Sequence, residues 1–192
     1  SSAPLSRGKK IAFVLIATAC IPVLLLIGLE VGLRLGGYGY PVSFFIERTI
    51  SGEKFLTEND RFAWRFFPKE LARSPSATRF KADKAPGVVR IFVFGESAAL
   101  GDPKPAYSFG RYLEVLLRER FPPRKFEVIT VAVTAINSHA ILPIARECAD
   151  LDADFWVIYM GNNEMMGPFG ANPVSGTAAP SLGRIRATVA LR

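Results

Sequence analysis

"IFVFGESAAL", residues 91–100, runs from four apolar residues straight into Gly95-Glu96-Ser97. With Val88, Val89 and Arg90 in front of it the run reads "VVRIFVF", short and almost continuously apolar. That is the pattern of a strand covered on both faces. A buried strand that breaks at Gly-x-Ser leaves its serine at the carboxyl end of the sheet, outside the hydrogen-bonded ladder.

The sequence beyond this strand alternates in period. "SFGRYLEVLLRERF" carries Phe109, Tyr112, Leu113, Leu116 and Leu117 at helical spacing, with Ser108 placed to cap the first turn. "KFEVITVAV" reads as a second strand. "SHAILPIARECADLD" reads as a second amphipathic helix with Ile141, Ile144, Ala145 and Cys148 on one face and Pro143 in its first turn, where a missing N–H costs least. "ADFWVIYM" is a third strand. Strands alternating with helices specify an α/β fold with a parallel sheet. The expected strands are Val88–Phe94, Phe126–Val131 and Phe155–Met160, the first in the middle (order 2-1-3), forming a partial flavodoxin-like sheet joined by right-handed crossovers.

Ligands of such sheets collect at the carboxyl ends of the strands. Here those ends read Gly95-Glu96-Ser97, Thr134-Ala135-Ile136-Asn137 and Gly161-Asn162-Asn163-Glu164. The fold therefore gathers a hydroxyl and several amides at one rim from segments distant in sequence.

The amino-terminal end has a different character. Residues 11–29, "IAFVLIATACIPVLLLIGL", hold no charge over nineteen positions. A helix needs about 20 residues to cross the hydrocarbon core, and Pro22 would kink such a helix without forbidding it. Arg7, Lys9 and Lys10 could also head a cleaved signal peptide, but a signal's apolar region is shorter. The expectation is an uncleaved single-pass anchor over 11–35 behind a basic tail at 1–10. Three basic residues before the span favour a cytoplasmic amino terminus. The rest of the chain then lies across the inner membrane, in the periplasm of a Gram-negative cell. The segment 36–87 shows no clean periodicity and reads as loop-rich and juxtamembrane, leaving 88–192 as the α/β domain.

The net charge of +7 is spread through Arg61, Arg65, Lys69, Arg73, Arg79, Lys81, Lys84 and Arg90 and lines no single helix. That distribution argues against nucleic acid and suits anionic head groups or an acidic partner surface. Cys20 in the span and Cys148 in the domain are not placed to form a disulfide.

From Val88 to Gly167 these blocks resemble the SGNH, or GDSL-type, hydrolases. Gly95-Glu96-Ser97 resembles the family's Gly-Asp-Ser block, and Gly161-Asn162-Asn163-Glu164 its Gly-x-Asn-Asp block. The resemblance implies Ser97 as nucleophile, with an oxyanion hole from the N–H groups of Ser97 and Ala135 and the side chain of Asn163. Ala135 stands where the family has glycine. A backbone that needs positive φ there would be strained by a side chain. The stretch is also similar to the amino-terminal part of membrane-anchored SGNH-like proteins that continue into tetratricopeptide repeats. On this comparison 88–192 is a truncated form of the domain.

The family's base comes from an Asp-x-x-His block, and this sequence contains none. A serine hydroxyl is a poor nucleophile without a base beside it. The single histidine, His139, falls at a helix start and reads as a surface or structural residue. Glu96 and Glu164 lack metal-type spacing, and Trp64, Trp156, Met165 and Met166 read as packing residues. No cofactor and no metal is expected. Two functions remain. The favoured one is a non-catalytic accessory or structural subunit, held to other membrane-protein subunits through residues 11–35 and the soluble domain. The alternative is the amino-terminal part of a serine esterase or acyltransferase acting on acyl esters outside the cytoplasm.

Overall fold

The computed structural model of the chain describes residues 6–171, 173 and 181–191. Residues 1–5 of the basic tail, and 172, 174–180 and 192 of the α/β domain, lie outside the described residues. The chain divides into two compact units after Tyr40.

The first unit is one long helix, α1 (Arg7–Leu35), with no buried residue and Pro22 inside it. Its 29 residues span about 43 Å at 1.5 Å per residue, against about 30 Å of hydrocarbon. By length and composition it can cross a membrane. Its apolar surface runs all the way round, as a lipid-facing helix requires. A Glu30–Arg34 ion pair of 2.6 Å marks the polar end, and the helix closes at Gly36-Gly37, where Gly37 takes φ +71°.

The second unit begins with an antiparallel sheet of β1 (Phe45–Ile50), β2 (Glu53–Glu58) and the short β3 (Arg79–Phe80). Ser51 and Gly52, both at positive φ, form the two-residue hairpin turn between β1 and β2. The segment read from sequence as loop-rich thus contains a hairpin, followed by a 3-10 turn at Phe62–Arg65. Its alternation is obscured because the outer half of the hairpin is exposed and buries no apolar stripe.

The parallel sheet consists of β4 (Val88–Gly95), β5 (Lys125–Ala132) and β6 (Phe155–Tyr159), with β4 in the middle. Register places Phe92 beside Ile129 and Trp156, and Gly95 beside Ala132 and Tyr159. Phe92, Phe94, Ile129 and Val131 face the main core. That core is closed by Phe44, Phe45, Phe62 and Phe80 from the preceding segment, through ring contacts of 5.0–5.9 Å. α4 (Ser138–Cys148) packs on the same core with Ala140, Ile141, Ile144 and Cys148, while α5 (Leu182–Leu191) adds the buried Ile185 to the unit. On the other face lie the one-turn α2 (Ser97–Leu100) and α3 (Phe109–Arg120), the latter approaching β5 where Gly110 meets Thr130.

Arg90, 1% exposed, staples the sheet's amino end. Its guanidinium donates to Glu127 at 2.7 Å and to the carbonyls of Lys81, Ala82 and Leu151 at 2.8 Å. A buried cation needs that degree of saturation.

Three details depart from the sequence reading. Pro143 lies in the second turn of α4 rather than the first. The stripe expected to bury α3 is half outside: Phe109, Tyr112 and Leu116 are exposed, and the helix rests on Gly110, Leu113 and Leu117. Met165 and Met166, expected to pack, are exposed as well.

Candidate functional site

The carboxyl end of β4 is tightly packed. A Cβ on Gly95 would collide with the carbonyl oxygen of Tyr159 and the Cβ of Ala99, so only glycine allows β6 and α2 to close on the strand. The chain then turns through Glu96, and α2 starts at Ser97, half-buried, whose carbonyl accepts from the N–H groups of Gly101 (2.9 Å) and Asp102 (3.0 Å).

Glu96 ties this turn to the loop after β6. The residue is 1% exposed, and its Oε1 accepts from the N–H groups of Gly161 (3.2 Å) and Asn163 (3.4 Å). Asp102 ties it to the loop after β5 by accepting from Thr134 Oγ1 at 3.1 Å. The loops after β5 and β6 are themselves joined. Glu164 accepts from the N–H (2.9 Å) and hydroxyl (2.8 Å) of Ser138, and Asn137 Nδ2 donates to the carbonyl of Pro168 at 2.8 Å. Gly167 fits against Asn163 and Asn137 with no room for a side chain.

The three strand ends that the sequence singled out therefore form one rim, carrying Ser97, Ala135 and Asn163. Ala135 is exposed and takes φ +67°, the left-handed region that disfavours a Cβ, at a cost of about 1–2 kcal/mol. Three buried side-chain atoms of the rim have no hydrogen-bond partner: Glu96 Oε2, Asn137 Oδ1 and Asn163 Nδ2. Each such orphan costs about 1–3 kcal/mol, a cost that native folds concede mainly where a site requires it. Glu96 Oε1 and both Glu164 oxygens accept from neighbouring N–H and hydroxyl groups, and among the described residues no cluster of three His, Cys, Asp or Glu is placed to hold a metal ion.

No described side chain is hydrogen-bonded to the Ser97 hydroxyl. His139 is turned to another purpose. Its ring meets that of Phe169 edge-on, 6.1 Å between centroids, and it lines a cavity between α4 and α5. The other nucleophile type is also inert. Burial, with Glu147 beside it, pushes the Cys148 thiol far above its ordinary pKa, which disfavours the thiolate there.

The roles of Glu96 and Asn137 were not legible as motif positions. The available signal was a carboxylate directly after an apolar strand, a position too enclosed for an unpaired charge. The chain matches no protein-family model, no curated protein and no solved structure.

Proposed function

We propose that the chain is a membrane-anchored accessory module of the SGNH type, a flavodoxin-like sheet held outside the cytoplasm by α1, which serves a larger membrane assembly and does not turn over an ester by itself. One observation carries this reading: Ser97, Ala135 and Asn163 share the strand-end rim, and among the described residues no side chain is hydrogen-bonded to the Ser97 hydroxyl. The glycine-type backbone of Ala135 supports the resemblance to the family, because the family's glycine occupies that position. Arg7, Lys9 and Lys10 in the first turn of α1, ahead of its uncharged stretch, support an amino terminus in the cytoplasm and a domain in the periplasm.

The esterase or acyltransferase reading draws on the unpartnered Asn163 Nδ2, a donor of the kind an oxyanion hole needs. A serine-directed fluorophosphonate separates the two. Without a base, the rate advantage left to an oxyanion hole is on the order of 10³–10⁴ over water, so labelling of Ser97 is expected to be slow or absent. Rapid labelling abolished by Ser97→Ala would restore the enzyme.

A further inference from the structure

A second site lies in the cavity between α4 and α5 and is independent of Ser97. Its volume is 580 Å³, mid-range for a pocket that takes one small molecule. The floor is apolar. Ile185 is 5% exposed, Val189 packs on the main core, and Leu142 and Leu182 stand at the mouth with 49% and 65% of their surface exposed.

The polar lining has one sign. Arg65, Arg146 and Arg186 contribute guanidinium groups, His139 adds its ring, and among the described residues no Asp or Glu lines the cavity. Arg65 is committed, donating to the carbonyls of Val42 (3.0 Å) and Val189 (2.9 Å). Arg146 and Arg186 have no acceptor among the described residues. Two guanidinium groups beside an apolar slot complement a molecule with the opposite layout. A carboxylate or phosphate head would take bidentate bonds from arginine, and a hydrocarbon chain would cover the exposed leucines.

We propose that this cavity binds a single-chain anionic amphiphile of the fatty-acid class. The volume favours one chain over the two of a bilayer lipid, and the lining favours an anionic head over a neutral one.

The test uses the full chain in nanodiscs of zwitterionic lipid, irradiated with a diazirine-bearing fatty acid and mapped by peptide mass spectrometry. Crosslinks are expected on Leu142, Leu182, Ile185 or Val189. They should fall at least about tenfold in the Arg146→Gln/Arg186→Gln double variant, the loss of charge-assisted bonds setting that scale. The neutral amide of the same probe should leave those residues unlabelled in the unaltered protein. The proposal is overturned by labelling confined to residues 11–29, by no labelling, by labelling that survives the double variant or by equal labelling with the amide. Equal labelling by a diacyl phosphatidylglycerol probe would assign the cavity to bilayer lipid and overturn the single-chain class.

Discussion

β4 and β6 are neighbours in one sheet and nearly equal in apolar content, yet they live in opposite surroundings. On β4, Phe92 and Val93 are fully buried and Ile91 and Phe94 nearly so. On β6, Phe155, Trp156, Ile158 and Tyr159 are 43–63% exposed, on both faces of the strand. Register explains part of this: β4 is hydrogen-bonded on both sides, while among the described residues β6 pairs only with β4. Layering explains the rest. The aromatic segment and α4 close one face of β4 and α2 with α3 approach the other, but they leave β6 largely uncovered. The ring of its Tyr159 meets that of the exposed Phe109 of α3, 6.1 Å between centroids. An apolar run records that a strand is meant to be covered; whether the covering belongs to the same chain is decided by neighbours. A parallel strand with one edge unpaired among the described residues and both faces partly exposed is a template for association.

The largest effect should separate the two strands by stability. Phe92→Ala removes a fully buried ring and is expected to cost about 3–5 kcal/mol. Phe155→Ala, 60% exposed, should stay within about 0.5 kcal/mol. Chemical denaturation of both variants checks this, and equal losses would mean that β6 is covered after all.

A smaller change, of opposite sign, is expected at the rim. Ala135→Gly releases the left-handed strain of about 1–2 kcal/mol against the about 0.5–1 kcal/mol of added backbone entropy. The same denaturation experiment should show the variant slightly stabilised.

The smallest effect concerns the start of β6. Asp154 accepts from Lys84 Nζ (2.9 Å) and from the N–H of Arg90 (2.7 Å). The bond from Lys84, then that from Arg90, hold its carboxyl below the ordinary value. A depressed carboxyl adds stability above its unfolded pKa and loses it as pH falls through the folded one, here below about pH 4. An acid titration followed by NMR should loosen the Phe155 amide before those of β4, and Asp154→Asn should remove the pH dependence.

Much of this was legible because it rests on local pattern. The strands 88–95 and 125–132, the capped α3 and the strand-end rim follow from period and turn chemistry. Ser108 accepts from the N–H of Arg111 at 3.3 Å, as its position suggested. What stayed hidden depends on long-range contacts. The Ser51-Gly52 turn was visible only as a dipeptide, since its hairpin buries too little to alternate. The clamp by Glu147, whose carboxylate accepts from the N–H groups of Phe44 and Phe45, joins residues a hundred positions apart. Glu96 bonds across to Gly161 and Asn163 in the same way. Nothing in the local sequence around Phe155 distinguishes an enclosed strand from an open one.

Hydrogen exchange of β4 and β6 tests the accessory role most directly, measured on the purified full chain and on the chain in its native membrane. In the purified protein the amides of Phe155–Tyr159 should exchange far faster than those of Val88–Gly95. In the native membrane β6 should become protected if the proposed partner covers its edge and faces. Protection of β6 equal to that of β4 in the purified chain, or fast exchange of β6 in both settings, would contradict the account.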